Sequence, residues 1–414
     1  MKLLVTSTIV LMTLHAAAQG YGTDYPGFLQ AAANKNLPEC IDRGNQLLQG
    51  TRHPNILYKL AECYCQADSA AQSIRLLQEL GDKGLPYNLV ENPKLTGIMA
   101  DPAFKALVKK FDSNRKSVQN SMDAFTLNDA RLIPEGMAAT SDGRQFFVGS
   151  LAQNKVVQYG VGGSQKDLVV PGQDGVWMVL GMKVSADNKT LWLCSASERD
   201  SVNGYSGIFG FDLASGRLRK KFTVDNKAGA HLFNDLVFAG NDVLYFTDSK
   251  AGKLWRLNLQ DGAMTAMESG ALVYPNGIAL DEKAQVLYVA DFVGIKRIDL
   301  RDHSVTQLVS KAPAYLNQVD GLYFYKHSLI AIQDSGNNDD RIVQFYLDQS
   351  GHAIERVKVL QSFHPDFIIP TTGVIVKNDF YYIANSQLRN LQPDGTLTNA
   401  EQLKKPLIKK VRLD

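Results

Sequence analysis

Six short segments that resemble one another recur along the chain, and they constrain its fold more than any other feature. Each is rich in aromatic and β-branched residues and ends in a small or polar residue, a composition typical of β-strands. The segments are Gln145–Ser150, Leu191–Ser195, Leu244–Asp248, Leu287–Asp291, Ile330–Asp334 and Phe380–Asn385. They recur about every 40–50 residues, which is the period of a four-stranded propeller blade. The pattern therefore predicts a mainly β protein with a six-bladed β-propeller over residues 121–414.

The two ends of this region are predicted to meet. Leu407–Leu413 alternates apolar and polar residues like a strand. It can complete the blade that the chain begins near Ala124 to Leu132, which would leave no exposed edge in the ring.

The residues before the propeller show a helical pattern. Apolar residues recur at spacings of three and four in two stretches, so each predicted helix carries one apolar stripe. These residues are Leu57, Leu60, Ala61 and Cys65, followed by Ile74, Leu77 and Leu80. The stretch His53–Gly84 is similar to a tetratricopeptide unit of about 34 residues, and another helix is predicted to end near Phe111. We therefore predict a small α-helical, tetratricopeptide-like domain over residues 19–120, which either packs against the propeller or docks a protein partner.

The N-terminus has the features of an export signal. Lys2 precedes a short apolar run, Leu3–Leu14, and small residues follow up to Ala18. This order is typical of a secretory signal peptide, and the run is too short to span a bilayer as a helix. We predict a signal peptide over residues 1–18, cleavage after Ala18, and a periplasmic or secreted protein without a transmembrane segment.

Charge and cysteine content narrow the choice of partners. A formal net charge of +2 gives no support for binding nucleic acid or an anionic membrane surface. Export permits disulfides, and Cys40 can pair with Cys63 or with Cys65. The spacing of Cys63 and Cys65 matches neither a redox motif nor a zinc site, so buried thiols or one disulfide are expected.

A second regularity is a turn position that recurs a nearly constant number of residues before the end of each aromatic segment. The positions fall at Glu135, Gly181, Asn234, Asn276 and Asp320, and the sixth falls at Thr371–Gly373. Equivalent positions in a propeller converge around the central channel, because the innermost strand of each blade begins there. Four of these positions carry side-chain oxygens, although the dipeptides that contain them are also common in turns. Two carboxylates and two amides make an all-oxygen donor set that favours calcium, with magnesium or manganese as alternatives.

At these residues the chain resembles the family of the senescence marker protein (regucalcin), the gluconolactonases and the luciferin-regenerating enzyme. The motifs that carry the resemblance are Pro134-Glu135-Gly136, Phe233-Asn234-Asp235, Pro275-Asn276-Gly277 and Val319-Asp320-Gly321. The resemblance covers residues 124–413 and implies a six-bladed propeller with one divalent cation in the channel.

The resemblance also assigns roles. It implies that Glu135, Asn276 and Asp320 are the metal ligands, that Asn234 contacts the substrate, and that Asp320 is the catalytic acid/base. The implied reaction is the opening of a lactone or related ester, in which the metal polarises the carbonyl and Asp320 orients or deprotonates water. No Gly-x-Ser-x-Gly motif is present to support a serine hydrolase.

One position departs from the sugar-lactone members of that family. Those members resemble each other in having an arginine two residues before the asparagine that corresponds to Asn234. At the position of that arginine this chain has Leu232 instead. Leucine cannot hold a hydroxylated sugar by hydrogen bonds, so a less polar substrate is expected. His231 is nearby and is a candidate substrate-binding residue and proton shuttle, with a polar rim residue as the alternative.

Two further features stay open at this point. Lys183 and Trp177 can face the channel from the second blade. The acidic run Asp334–Asp340 can hold a second calcium, although a solvated turn is the preferred interpretation because the run does not match an EF-hand.

Three functions are compatible with these observations. The first is an exported, metal-dependent lactonase or esterase acting on a small molecule. The second is a non-catalytic, calcium-stabilised propeller that binds a ligand or a protein. The third is a scaffold in which the N-terminal helices bind a partner.

Overall fold

The computed structural model describes residues 24–197, 204–267, 272–334 and 340–414. The predicted signal segment, residues 1–18, lies outside these ranges. Within them, no helix is both long and apolar enough to cross a membrane.

Helices occupy the N-terminal part of the described chain. They are α1 (24–33), α2 (Leu37–Leu47), α3 (Pro54–Gln66), α4 (Ala70–Asp82), a 3₁₀ helix (Pro93–Ile98) and α5 (Pro102–Asn114). Polar side chains cap the starts of α2, α3 and α5, and a proline follows each cap within the first turn. The predicted stripes on α3 and α4 are buried in the hydrophobic core that the helices share, apart from the partly buried Ile74.

A disulfide joins two of the helices. Cys40 of α2 is bonded to Cys63 of α3, while Cys65 and Cys194 are buried free thiols. The expectation of one disulfide is therefore confirmed, and the structure resolves the pairing that the sequence left open.

Strands dominate the rest of the described chain, and the six-bladed β-propeller is confirmed. Strands β1 (Val118–Gln119) and β2 (Met122–Thr126) precede the first blade. The first three blades are β3 to β6 (Pro134–Ala139, Gln145–Ser150, Val156–Gly160, Gln165–Val169), β7 to β10 (Met178–Val184, Thr190–Ala196, Tyr205–Asp212, Leu218–Asp225) and β11 to β14 (Phe233–Ala239, Val243–Asp248, Lys253–Asn258, Met264–Ala266).

The remaining three blades have the same antiparallel order. They are β15 to β18 (Ile278–Asp281, Val286–Asp291, Gly294–Asp299, Val305–Gln307), β20 to β23 (Val319–Tyr325, Ser328–Gln333, Arg341–Leu347, Ala353–Ser362) and β24 to β26 (Gly373–Val376, Asp379–Ile383, Leu407–Arg412) completed by β2. The short strands β19 (Val309–Ser310) and β1 add to the outer strand β23. Short 3₁₀ helices occupy Gln173–Gly175, Asn226–Ala228, Leu388–Asn390 and Ala400–Gln402.

The six aromatic segments read from the sequence are the second strands of the six blades. The first strands, β3, β7, β11, β15, β20 and β24, contact one another in cyclic order, which closes the ring. The predicted closure by both ends of the propeller region is also observed, because β26 pairs with β2 between Met122 and Thr126. Beside this seam the buried Lys409 Nζ donates to the carboxylates of Asp123 and Asp366.

The helices pack against the propeller rather than standing apart from it. Tyr315, from the loop before β20, is buried in the hydrophobic core of the helices, and Phe292 and Val293 from the β16–β17 turn pack on that core. The ring of His53 stacks on Phe292, with centroids 4.2 Å apart. Of the two roles expected for the helical domain, packing against the propeller is observed.

Candidate functional site

The four oxygen-bearing positions read from the sequence lie in one cleft of about 580 Å³. Glu135 is the second residue of β3, Asn234 the second residue of β11 and Asp320 the second residue of β20, and Asn276 precedes β15. All four side chains line the cleft. Residues more than 180 positions apart in the chain are thus brought together at the start of the inner strands.

A repeated irregularity in strand pairing positions these side chains. In the first blade Pro134 pairs with Ser150, but the next pair is Met137 with Val148, so one extra residue is accommodated in β3. The same shift occurs after Phe233 in β11 and after Val319 in β20. The site residue is in each case the first residue inside the bulge, which is a common way for a strand to redirect a side chain.

The glycine that follows a site residue permits close approach of a neighbouring blade. A Cβ at Gly136 would overlap the backbone of Leu180, and a Cβ at Gly277 would overlap the carbonyl oxygen of Asp320. These glycines are required for blade packing at the channel, so interpreting them as turn residues alone is incomplete.

Hydrogen bonds fix the two asparagine side chains through their nitrogen atoms. Asn276 Nδ2 donates to Asp320 Oδ1 over 2.8 Å. Asn234 Nδ2 donates to Ser249 Oγ over 3.0 Å, and Ser249 Oγ donates to the carbonyl of Pro275. Both amide nitrogens are therefore engaged within the protein, and each amide oxygen is left as the group that can meet a ligand.

The Glu135 side chain contains an unpaired buried atom. Its Oε2 is fully buried and has no hydrogen-bond partner among the residues that the structure describes. Burial raises the pKa of the Glu135 carboxyl well above its usual range, and the carboxylates of Asp320, Asp334 and Asp235 raise it further. The Glu135 backbone is held from the sixth blade, where Thr372 Oγ1 donates to its carbonyl.

Asp320 experiences the same crowding of negative charge. Burial, followed by the Asp334 carboxylate, raises the pKa of Asp320 to about 8, although the hydrogen bond from Asn276 acts in the opposite direction. Like charges are costly when they are crowded away from water, and a bound cation would remove that cost.

The residues present suit a hard divalent cation. The buried Glu135 carboxylate, with its unsatisfied oxygen, and the partly buried Asp320 carboxylate line the cleft with two amide groups whose nitrogen atoms are already bonded. Calcium prefers such oxygen ligands. In the described part of the chain, no group of three or more His, Cys, Asp and Glu side chains is placed to hold a metal. A cation at this position would accordingly use an amide oxygen together with the carboxylates.

The structure places His231, Lys183 and Trp177 outside this cleft. His231 does not line it, and its Nδ1 lies 2.5 Å from Oδ2 of Asp248, which also accepts from Trp255 Nε1. Lys183 forms an ion pair with Asp235 at 3.7 Å and lines a smaller cavity of about 230 Å³. Trp177 lines neither cavity.

Leu232 belongs to an apolar wall of the cleft. It is 5% exposed and packs in a hydrophobic cluster with Leu151 and Leu180. The wall also includes Met178 and two residues of the loop after β25, Leu388 and Leu391. Leucine at this position therefore lies among apolar residues, and the expectation of a less polar substrate stays a prediction.

Other cleft residues were not predicted from the sequence. They include His53 of the helical domain, Phe292 and Gln318 at the domain interface, and Asp334. Asp334 begins the acidic run for which a second calcium was considered, and residues 335–339 of that run lie outside the described ranges. The sequence does not show that a helix-capping histidine such as His53 lines the cleft, because its position there depends on how the two domains pack.

Comparisons with known proteins give structural likenesses only. No protein-family model and no curated protein sequence matches the chain. A gluconolactonase from Xanthomonas campestris is similar with a TM-score of 0.49 and 17% identity, covering 71% of this chain and 95% of that one. Virginiamycin B lyase from Staphylococcus aureus is similar with a TM-score of 0.47 and 16% identity, covering 71% of this chain and 99% of that one. A luciferin-regenerating enzyme is similar with a TM-score of 0.47 and 13% identity, covering 68% of this chain and 92% of that one.

Proposed function

We propose that the cleft is the active site of a cation-dependent hydrolase that opens a lactone or related ester. The observation that carries this proposal is the buried Glu135 beside the partly buried Asp320, crowded with further carboxylates and next to two amide oxygens. The lactone or ester class follows from the resemblance of the four motifs that contain these residues. The apolar wall around Leu232 favours a substrate with an apolar body over a free sugar lactone.

Glu135, Asn276 and Asp320 would hold the cation, which supplies Lewis-acid polarisation of the substrate carbonyl when bound. Asn234 lines the cleft and its Nδ2 is bonded to Ser249, so its amide oxygen is the atom that would accept a hydrogen bond from the substrate. Asp320 accepts a proton from the attacking water, and Asn276 holds its other oxygen in place. The ester C–O bond breaks and the departing oxygen takes up a proton, so a lactone and water give one hydroxy acid.

The test is a hydrolysis panel with δ-valerolactone, γ-decalactone, glucono-δ-lactone and p-nitrophenyl acetate. Each is assayed with calcium, magnesium or manganese and then with a chelator. Asp320→Asn should lower kcat by about 100-fold or more, the usual effect of removing a general base. Asp302→Asn, which changes an exposed carboxylate, is the matched control.

The result also separates catalysis from ligand binding without turnover. Hydrolysis that survives both the chelator and Asp320→Asn would contradict the proposal. Stabilisation by calcium without turnover of any substrate would instead favour the non-catalytic propeller.

We also propose that the protein is exported. The Cys40–Cys63 disulfide supports this, because structural disulfides persist mainly in oxidising compartments. N-terminal sequencing of the protein from its native host should give Gln19 as the first residue. Recovery of the intact N-terminus from the cytosol would contradict export.

A further inference from the structure

We propose that the interface between the helical domain and the propeller forms a second recognition subsite in the same cleft. Here His53 acts as a hydrogen-bond donor and Gln318 as an acceptor for one polar group of the substrate. The group that fits is a secondary amide, so the substrate class becomes a lactone or ester that carries an acylamino substituent. This inference rests on the proposed function for the reaction, but its binding part can be tested separately.

The subsite is built from both domains. His53 caps the N-terminus of α3, and its ring stacks on Phe292 of the propeller with an angle of 10° between the ring planes. Thr51 Oγ1 donates to the carbonyl of Val293 beside this stack. The helical domain thereby places His53 in the wall of the channel cleft.

The orientation of the His53 ring fixes which atom can act as the donor. The backbone N–H of Asn55 donates to Nδ1 over 3.2 Å, so Nδ1 carries no proton and the neutral ring has its hydrogen on Nε2. Burial lowers the pKa of His53 to about 3, which keeps the ring neutral at ordinary pH. Among the residues that the structure describes, Nε2 has no hydrogen-bond partner. This Nε2–H is available to a bound molecule.

Gln318 supplies the complementary acceptor. Its Nε2 donates to Asn55 Oδ1 over 3.2 Å, whereas its Oε1 is buried and has no partner in the described chain. The backbone of Gln318 has a φ of 59°, a left-handed conformation that is unfavourable for a residue other than glycine. Asn55 therefore links both side chains, with its backbone N–H bonded to His53 and its side-chain oxygen bonded to Gln318.

The chemistry of the pair selects the ligand. The protein donor, His53 Nε2–H, and the protein acceptor, Gln318 Oε1, belong to side chains on different domains. A hydroxyl donates and accepts through a single oxygen, so a ligand group that donates from one atom and accepts at another fits them better. A secondary amide has one N–H and one C=O, and each would satisfy one of the two unpaired atoms. An unpaired buried polar atom is costly, so a ligand without the amide should bind less well.

The test compares two γ-lactones of similar length, N-hexanoyl-homoserine lactone, which has an amide beside the ring, and γ-decalactone, which has none. The wild-type full-length protein should prefer the first by about 10-fold or more in kcat/KM. His53→Ser keeps a good helix-capping side chain but loses the ring, and Gln318→Met keeps the size of the side chain but loses the acceptor. Both variants should lose most of this preference, because their kcat/KM falls more for N-hexanoyl-homoserine lactone than for γ-decalactone.

Thr51→Val is the matched control, because it removes a hydrogen bond across the same interface but does not line the cleft. It should leave the preference unchanged, and thermal unfolding curves should verify that every variant folds. An equal loss for both lactones in His53→Ser and Gln318→Met, or an unchanged preference in both, would overturn the subsite.

A binding measurement separates this inference from the proposed reaction. N-Cyclopentylhexanamide contains the amide but no ester bond, and calorimetry should show binding to the wild type that weakens about 10-fold in His53→Ser. If this binding is observed without hydrolysis of any lactone, the subsite is supported and the proposed reaction fails. If lactones are hydrolysed but the amide binds equally to both proteins, the subsite fails alone.

Discussion

Asn276 and Asp320 come from neighbouring blades and are joined by a hydrogen bond, in which Asn276 Nδ2 donates to Asp320 Oδ1 over 2.8 Å. Because the nitrogen is committed to Asp320, the amide oxygen is the atom that Asn276 can offer to a cation. Glu135 lies in the same cleft with one buried oxygen unpaired. If this arrangement is the proposed cation site, one substitution should have opposite effects on stability in the absence and in the presence of calcium.

Glu135→Gln should stabilise the protein in the presence of a chelator and abolish its stabilisation by calcium. The substitution removes a carboxyl group whose ionisation is opposed by burial and by the Asp320 and Asp334 carboxylates, so we expect the chelated protein to melt about 2–4 °C higher. In the wild type, calcium at about 100 times Kd should add about 2.7 kcal/mol to the free energy of unfolding. Thermal melts with and without calcium measure both effects.

Glu355→Gln, which changes an exposed carboxylate, is the control and should alter neither melting temperature. A full calcium shift in Glu135→Gln would show that Glu135 is not a ligand.

Stability should fall at acidic pH partly because of His53. Burial lowers the pKa of the folded-state ring to about 3, while the ring in the unfolded chain titrates near the usual value of 6.5. Between these values the unfolded state binds a proton that the folded state does not. The contribution of His53 is therefore fully present above about pH 6.5 and decreases as the pH falls toward 3, by at most about 1.4 kcal/mol per pH unit.

Urea unfolding of the wild type and His53→Ser between pH 4 and pH 7 checks this. Both proteins contain the same carboxylates, so the difference between their slopes isolates the histidine. Parallel pH profiles would contradict a buried, neutral His53.

The sequence predicted the parts of this protein that repeat. The six aromatic segments became the second strands of six blades, and their common spacing placed Glu135, Asn234, Asn276 and Asp320 in one cleft. A repeat makes such positions predictable, because equivalent residues in a closed ring must converge.

The parts that were not predicted arise from packing between unlike segments. His53 and Gln318 are 265 residues apart, and Asn55 is hydrogen-bonded to both side chains. No period relates a helix cap to a propeller loop, so a single sequence does not show that they line one cleft. The bulges in the inner strands were also missed, since they appear only when the pairing of neighbouring strands is known.

Removing the disulfide should destabilise the helical domain. Cys40 and Cys63 are separated by 23 residues, and cross-linking a loop of this size is expected to contribute about 3 kcal/mol by restricting the unfolded chain. The double variant Cys40→Ser, Cys63→Ser should therefore unfold its helices at a lower denaturant concentration. Circular dichroism at 222 nm during guanidinium unfolding measures this.

Cys65→Ala serves as the control, because it changes a free thiol on the same helix and leaves the disulfide intact. Identical midpoints for the double variant and the wild type would show that the bond adds no stability.

Leu232→Ala should alter the substrate preference more than the reaction itself. Leu232 is part of the apolar wall of the cleft, and truncating its side chain removes apolar contact with the body of a substrate. We expect kcat/KM for γ-decalactone to fall about 10-fold or more, whereas δ-valerolactone, which has no alkyl chain, should change little. Steady-state kinetics on both lactones, after thermal melts verify folding, measure the ratio. An equal loss on both substrates would mean that Leu232 acts through the stability of its hydrophobic cluster rather than through contact with the substrate.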